Sequence, residues 1–194
     1  MDILKLPPSY YRQTDVVALA EDLLGKFLVT NINGTRTSGI ITETEAYAGV
    51  NDRASHAYGN RRTARTETMY QNGGLAYVYL CYGLHHLFNV VTNVKDVPHA
   101  ILVRAVQPSE GIDLMLERRK LTTEGPRLSG GPATLSQALG ITVKHNKTSL
   151  NGHVIWLEDR GIRPSKDQIT VGPRVGVDYA GEDAKLPYRF RLSL

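Results

Sequence analysis

The sequence predicts a mixed α+β domain built on a mostly antiparallel sheet. Two observations lead to this class: predicted strands outnumber predicted helices, and the strands follow one another in pairs joined by short turns, as in hairpins. The 194 residues, 41% of them hydrophobic and 22% charged, are typical of one ordinary globular domain. The sequence contains no internal repeat and no linker-like stretch, so we expect residues 1–194 to form a single domain.

The first predicted elements are a helix and a hairpin. Apolar residues recur with helical spacing over residues 15–25, and Gly25 ends the pattern. Two segments rich in β-branched and aromatic residues follow, at 26–32 and 38–47, with a turn at Asn33-Gly34 between them. The start of the chain therefore predicts one amphipathic helix packed beside a pair of strands.

The rest of the chain continues the alternation of strand pairs and short helices. A second hairpin turns around Gly83, and a buried strand follows it. Ser109 is a suitable cap for the next helix, and a Gly-Pro pair suits the start of the last one. The predicted elements are strands 76–82, 87–93 and 99–106, a helix from Ser109 to about 120, a helix from Pro132 to near Gly140, and strands 153–157 and 187–193.

Cysteine use and hydropathy indicate the compartment. Cys81 is the only cysteine, so no disulfide can form within the chain, which fits a reducing environment. The first residues, MDILKLPPSYYRQ, lack a basic segment followed by an apolar one, so we expect no secretory signal and a cytoplasmic protein. The longest apolar region, 75–91, contains a glycine, two histidines and an asparagine, which favours two strands and a turn over a membrane span.

The charge distribution permits a nucleic-acid partner. The net charge is +4 and the sequence pI is about 9.2, a mild basic excess. Arginines concentrate in and just before one polar segment, 59-GNRRTARTET-68, that is typical of a loop. They are Arg53, Arg61, Arg62 and Arg65. Such a cluster either solvates a loop or contacts phosphate groups, and the residues alone leave both open.

The stretch 41-ITETEAYAG-49 combines a strand pattern with two carboxylates. Simple alternation places Ile41, Glu43, Glu45 and Tyr47 on one face of the strand. One interpretation is a solvated face, or glutamates paired with arginines. The other is a catalytic carboxylate above a pocket, and strand periodicity does not choose between them.

Several residues of the following strands suit a binding site as well as a core. Tyr77 and Tyr79 share a face, whereas Tyr82 lies beside the predicted turn, where an exposed aromatic can stack on bases or wedge between them. Arg104 lies in an otherwise apolar strand, so its guanidinium must either reach water or pair with a carboxylate. Asn89, also in an apolar run, needs hydrogen-bond partners if buried.

Two further functions stay open on the residues alone. A metal-dependent nuclease would use Glu43, Glu45, Asp52 and His56, but the sequence has no H-E-x-x-H motif and no cysteine cluster, so we predict no metal and no other cofactor. A non-enzymatic protein that recognises distorted DNA would use Tyr82 and the arginine-rich loop.

The motifs in this order resemble one known family. The whole set resembles the alkyladenine (3-methyladenine) DNA glycosylases of the mammalian type, which also occur in bacteria. The resemblance covers residues from about 9 to 192, and the absence of the long N-terminal extension of animal members suggests a bacterial protein. The motifs that carry it are ETEAY with a histidine eleven residues after its second glutamate, the Arg/Thr loop, YVYLCYG with Asn89, LVRAVQP, SGGPATLSQALGI and PRVGVDYAG.

The resemblance implies a fold and an activity. The family fold is a single compact α+β domain with a curved, mostly antiparallel sheet and flanking helices. The implied enzyme flips an alkylated or deaminated purine (3-methyladenine, 7-methylguanine, hypoxanthine or ethenoadenine) out of double-stranded DNA and hydrolyses its N-glycosidic bond. No motif positions a lysine for a Schiff base, so we expect a monofunctional enzyme that leaves an abasic site. We expect the enzyme to be a cytoplasmic monomer that associates with the nucleoid while it acts and that does not bind a membrane.

The resemblance also implies roles for residues. Glu45 would activate water, which Arg104 and the backbone carbonyl of Val175 would help to hold. Four side chains would surround the flipped base: Tyr47, His56 and Tyr79 would form the pocket, and Asn89 would crowd the exocyclic amine of guanine.

Further residues are expected to contact DNA. Tyr82 would intercalate where the flipped nucleotide left the stack. The other expected contacts are Leu84, His85, Arg61, Arg65 and Met69. This chain departs from the family at Thr134, where members often have a lysine, so a cationic contact at that helix is not expected.

Overall fold

Nine strands form one antiparallel sheet in the computed structural model, which describes residues 4–194. The strands are β1 (Leu4–Lys5), β2 (Phe27–Ile32), β3 (Thr35–Tyr47), β4 (Ala76–Cys81), β5 (His85–Thr92), β6 (His99–Glu110), β7 (Ile155–Asp159), β8 (Ile169–Gly172) and β9 (Arg189–Leu192). The helices are α1 (Val16–Asp22), α2 (Ile112–Arg119), α3 (Pro126–Ser129) and α4 (Pro132–Ala138). The predicted α+β class with a mostly antiparallel sheet is confirmed.

Strand β3 is the centre of the sheet. The strands follow the order β1-β7-β2-β3-β6-β5-β4, and β9 pairs with both β3 and β8. The first part of β3 pairs with β2, and its residues Glu43–Glu45 pair with β9 on the same edge, while β6 runs along the other edge. The segment with two carboxylates therefore has a strand on each side.

A bulge in β3 changes which side chains share a face. The register between β3 and β6 shifts on both sides of Glu43. As a result, Ile41 lies in the same buried cluster as Ala46, and the hydroxyl of Thr44 donates to the carbonyl of Ala20 in α1. The prediction that Ile41 shares the face of Glu45 was wrong, because extra residues in a bulge interrupt simple alternation.

The main core lies between the sheet and the helices. Helix α1 packs on β3, and α4 packs on β5 and β6. Asp15 caps α1 by accepting hydrogen bonds from Val17 N and Ala18 N, both of 3.0 Å. In the part of the chain that the structure describes, no helix has the length and apolar character needed to span a membrane.

The predicted boundaries hold best where apolar periodicity is clear. The helix expected from Ser109 begins instead at Ile112, because β6 continues to Glu110 and Gly111 then turns the chain with a φ of 71°. Pro108 of β6 lies opposite Gly39, where a Cβ would approach the Gln107 carbonyl oxygen to 2.8 Å. Strand β8 and helix α3 are short elements that the sequence pattern did not predict.

Candidate active site

An open cavity of about 400 Å³ lies beside the strands β3 to β6. Residues that are far apart in the sequence line it together, and nine of the twenty are aromatic or polar. They include Tyr47 of β3, His56 of the loop after β3, Tyr77 and Tyr79 of β4, Asn89 of β5 and Arg104 of β6. The residues expected to surround a flipped base therefore face one space.

The carboxylate of Glu45 lies directly behind the cavity wall, fully buried. Its Oε1 accepts a 2.8 Å hydrogen bond from Val175 N–H and lies 3.2 Å from Nη1 of Arg104. Its Oε2 accepts a 2.8 Å hydrogen bond from the hydroxyl of Tyr47. Since these three neighbours all line the cavity, they both satisfy the buried carboxylate and connect it to the open space.

The Tyr47 hydroxyl stays protonated next to this carboxylate. Burial, followed by the charge and hydrogen bond of Glu45, raises the pKa of Tyr47 well above its usual range. The tyrosine is therefore a stable hydrogen-bond donor at neutral pH. Its ring, meanwhile, forms part of the cavity wall.

A buried ion pair between Arg174 and Asp52 fixes the segment that includes Val175, whose backbone contacts Glu45. The guanidinium of Arg174 binds the carboxylate of Asp52 through both Nη atoms and donates a 2.9 Å hydrogen bond to the carbonyl of Ala46. The same guanidinium lies 4.8 Å from the ring centre of Tyr47. Arg174 therefore holds the chain just before Val175 against β3.

The aromatic side of the cavity is built around His56. Its Nδ1 lies 3.0 Å from the hydroxyl of Tyr77, and its ring meets that of Tyr79 edge-on with centroids 4.7 Å apart. Burial, with smaller contributions from Arg65 and Arg61, lowers the pKa of His56 to about 4. The imidazole is therefore uncharged at neutral pH.

Asn89 has a fixed orientation at the cavity. The residue is buried, and its Nδ2 donates a 3.1 Å hydrogen bond to the carbonyl of Tyr77, the residue directly opposite on β4. The buried amide thus has the partner that its position in an apolar strand requires.

The turn between β4 and β5 projects an aromatic side chain into solvent. Tyr82 is 92% exposed and has a φ of 51°, followed by Gly83 with a φ of 70°. Leu84 is 75% exposed, and His85 is exposed as well. A tyrosine in the left-handed region is uncommon, so the turn keeps this ring at the surface despite a local conformational cost.

The arginines of the arginine-rich loop differ in whether a carboxylate neutralises their charge. Arg62 binds Glu67 and Asp96 and lies over the ring of Tyr70. Arg65 is exposed and lies 4.7 Å from the ring centre of Tyr79, at the cavity. Arg61 is also exposed. Within residues 4–194, neither Arg61 nor Arg65 forms an ion pair with a carboxylate.

Comparisons with known proteins identify the family of this chain. The family model described as Methylpurine-DNA glycosylase (MPG) matches residues 9–193. The chain belongs to the methylpurine-DNA glycosylase family. The resemblance inferred from the motifs is thereby confirmed, and the chain is a DNA N-glycosylase.

Curated relatives support the same family. A protein of Chlamydia felis named "Putative 3-methyladenine DNA glycosylase" is 47% identical over 190 residues, which cover 97% of this chain and 96% of the relative. Proteins with the same name from Bacillus cereus and Clostridium acetobutylicum are each 42% identical. The alignments cover 96% of this chain and 95% of the Bacillus protein, and 97% of this chain and 94% of the Clostridium protein. All three relatives are bacterial, as the sequence suggested for this methylpurine-DNA glycosylase.

Met69 and Val175 both lie at the cavity, in environments that bear on the roles expected for them. Met69 is only 2% exposed and packs with Tyr70 and Tyr77, so its side chain supports the cavity wall and little of it is open to the direct DNA contact that was expected. Val175 contacts Glu45 through its backbone N–H. The role expected for the Val175 carbonyl in holding water stays a prediction.

Three residues support the site of this glycosylase in ways that the sequence did not predict, although Asp52 had been considered as a metal ligand. Arg174 and Asp52 support it through their ion pair, and Tyr179 lies at the rim with its hydroxyl 3.1 Å from the Ala54 carbonyl. The motif PRVGVDYAG contains both Arg174 and Tyr179, but nothing in its spacing shows which carboxylate the arginine binds. Thr134 makes a local hydrogen bond to the Gly131 carbonyl.

The three carboxylates of the nuclease alternative are already paired with arginines. Asp52 binds Arg174, and both Glu43 and Glu45 lie within 3.2 Å of Arg104 atoms. Across residues 4–194, no three histidine, cysteine or acidic side chains come together in a group suited to a metal ion. Guanidinium groups at these carboxylates would repel a metal cation, so the geometry does not favour this alternative.

Proposed function

We propose that this glycosylase removes alkylated or deaminated purines from double-stranded DNA, using water activated by Glu45. The proposed substrates are 3-methyladenine, 7-methylguanine, hypoxanthine and ethenoadenine. The main supporting observation is the buried Glu45 carboxylate, which is held by two hydrogen bonds and the Arg104 guanidinium directly behind a cavity with aromatic walls. The names of the bacterial relatives, which refer to 3-methyladenine, support the alkylated substrates.

The target base must leave the helix to reach the cavity. Rotating a nucleotide out of the duplex costs a few kcal/mol, and less for a damaged or mispaired base. Tyr82, exposed at the tip of the β4–β5 turn, is suited to fill the gap in the stack and offset this cost. Leu84 and His85 extend from the same turn and would contact the adjacent groove.

The cavity walls suit both cationic and neutral lesions. The rings of Tyr47 and Tyr79 offer aromatic faces, which attract a cationic base by about 1–2 kcal/mol when water is excluded. His56 adds no further positive charge to those of Arg65 and Arg104 at the cavity, because burial lowers its pKa to about 4. The fixed amide of Asn89 would crowd the exocyclic amine of guanine and so disfavour the normal base.

Glu45 would act as the general base. The hydrogen bonds from Tyr47 and Val175 use two of the roughly four lone-pair sites on the carboxylate, and Nη1 of Arg104 lies 3.2 Å from Oε1 as an ion-pair partner, so a site remains for a water molecule. As the N-glycosidic bond breaks, its electron pair leaves on the base nitrogen and the sugar becomes oxocarbenium-like. The ionised Glu45 stabilises this charge and accepts the proton of the water that attacks C1′, with Arg104 beside it.

The proposed enzyme stops at the abasic site. A strand-cleaving lyase step needs an amine that forms a Schiff base with the sugar. None of the described residues that line the cavity is a lysine. We further propose that residues 1–194 act as one catalytic domain and as a monomer.

The decisive experiment compares the wild type with Glu45→Gln on duplexes that contain a methylated purine or inosine. We expect free base from the wild type alone, while both proteins bind the duplex, because glutamine keeps the shape of the side chain but cannot accept a proton from water. Base release that survives in Glu45→Gln would contradict the role of Glu45. A wild type that binds but releases no base from any lesion would favour the distortion-binding alternative, and loss of activity in EDTA would favour the nuclease.

A further inference from the structure

A second glutamate of β3, Glu43, lies among three arginines. Its side chain is 14% exposed, and its Oε1 accepts a 2.9 Å hydrogen bond from Nε of Arg104. Nη1 of Arg189 lies 3.6 Å from the same oxygen, and Nε of Arg191 lies 3.9 Å from Oε2. The arginines come from both neighbouring strands, with Arg104 on β6 and the other two on β9.

Arg104 bridges the two carboxylates of β3. Its Nε contacts Glu43, and its Nη1 lies 3.2 Å from Oε1 of Glu45. The guanidinium is planar and rigid, so a contact at Nε restricts where the Nη groups can point. A charge-assisted hydrogen bond is also roughly twice as strong as a neutral one, which makes Glu43 an effective anchor.

We propose that Glu43 is a positioning residue for the hydrolysis: it acts through Arg104, whose guanidinium it holds against Glu45 and the cavity. This inference rests on the proposed function of Glu45 and Arg104. Glu43 is not among the residues that line the cavity, whereas Arg104 is. Glu43 therefore influences the reaction only through the arginine that it orients.

The irregular pairing of β3 with β6 helps one arginine to reach both carboxylates. Glu43 pairs with Ala105 but the next residue, Thr44, pairs with Val103, so Arg104 is an extra residue of β6 at this point, and bulges commonly redirect side chains near active sites. Arg191 and Arg189 lie opposite Glu43 and Glu45 on β9. Without the charge of Glu43, these two arginines and Arg104 would lose a common carboxylate partner, and Arg104 would lose the contact that fixes its plane.

The test is a double-mutant cycle between Glu43 and Arg104. The single-turnover rate of base release is measured for the wild type, Glu43→Gln, Arg104→Gln and the double variant. A 7-methylguanine duplex is used, because this good leaving group keeps slow variants measurable. We expect Glu43→Gln to lower the rate roughly 10- to 100-fold, the size of effect that misplaced catalytic groups produce. In the Arg104→Gln background, Glu43→Gln should lower it no further.

Three further measurements separate positioning from a general structural role. The affinity of Glu43→Gln for the duplex should be no weaker than that of the wild type, and Glu43→Asp, which keeps the charge, should recover part of the rate. Glu182→Gln, a matched change in an exposed pair with Lys185, should leave the rate unchanged. Thermal unfolding shows whether each variant is folded, and Glu43→Asp replaces Glu43→Gln in the cycle if the latter is not.

Two outcomes would overturn this role. The first is a wild-type rate in Glu43→Gln. The second is an undiminished effect of the same change in the Arg104→Gln background. Either result leaves the proposed function intact as long as Glu45→Gln is inactive. Failure of the wild type to release any base would instead defeat the proposed function and this inference with it.

Discussion

Nη2 of Arg174 donates a 2.8 Å hydrogen bond to Oδ1 of Asp52, although 122 positions separate the two residues. Both are almost fully buried, at 5% and 3% exposure. Asp52 also accepts hydrogen bonds from the backbone N–H groups of Ala48 and Ala54. The ion pair therefore joins the loop after β3 to Arg174. The next residue, Val175, contacts Glu45, which is the proposed general base.

We predict that Asp52→Asn destabilises the protein strongly. Removing one partner of a buried ion pair leaves the other charge without compensation and typically costs about 3–5 kcal/mol. The free energy of unfolding, measured by urea denaturation, should fall by that amount, and base release should fall because Val175 loses its support. The exposed pair of Glu182 and Lys185 is the control, since Glu182→Gln should cost less than about 1 kcal/mol. Equal effects of the two changes would contradict this prediction.

The sequence predicted the sheet and the cavity residues better than their supports. Alternating and helical apolar patterns located most strands and helices, because burial determines them directly. The partner of Arg174 leaves no periodic signal, since a salt bridge between distant segments depends on the completed fold. The bulge at Glu43 was missed for a related reason: one extra residue reverses the faces of Ile41 and Glu45 without changing the composition of the strand.

The position of Tyr82 at the hairpin tip, by contrast, could be predicted from the sequence alone. The Tyr82-Gly83 pair breaks the strand pattern, so an exposed aromatic was expected there, and the ring is 92% exposed. Met69 could not be placed the same way, because a methionine in a loop can face either solvent or core. The structure packs it against Tyr70 and Tyr77.

Tyr82 should promote binding of the lesion duplex and base release, although its strained backbone lowers the stability of the folded protein. We predict that Tyr82→Gly leaves the thermal midpoint equal to or higher than that of the wild type, because glycine adopts a φ of 51° without strain. The same change should weaken binding to a lesion duplex and slow base release, since no ring remains to fill the stack. Tyr82→Ala keeps the strained backbone and serves as the comparison. A glycine variant with wild-type release would argue against intercalation.

His56 should make stability depend on pH below neutrality. Its pKa is lowered to about 4 in the folded protein from 6.5, so between these values the unfolded chain binds a proton that the folded protein does not. Stability is therefore greatest above pH 6.5 and falls as the pH approaches 4, by up to about 3 kcal/mol from this residue.

The variant His56→Gln tests that dependence. The free energy of unfolding of wild type and variant is measured by urea denaturation from pH 7.5 to 4. His99 and His145, whose pKa values burial also lowers, contribute the same slope to both proteins. We expect the stability of the wild type relative to the variant to decline as the pH falls through this window. A constant difference would mean that His56 does not titrate as an uncharged buried group.

Three arginines of one loop should differ in their contribution to DNA binding. Arg62 is neutralised by Glu67 and Asp96, whereas Arg61 and Arg65 are exposed and, within residues 4–194, form no ion pair with a carboxylate. Each cation that contacts a phosphate releases counterions, which steepens the salt dependence of the binding constant by about 0.9 in a double-logarithmic plot. Arg61→Gln and Arg65→Gln should each reduce the slope by about that value. Arg62→Gln, the matched control, should leave the slope unchanged, because its charge already has two partners. A reduced slope in Arg62→Gln alone would contradict this prediction. It would mean that the ion pairs of Arg62 with Glu67 and Asp96 open on binding, and that exposure in the free protein does not identify the arginines that contact phosphate.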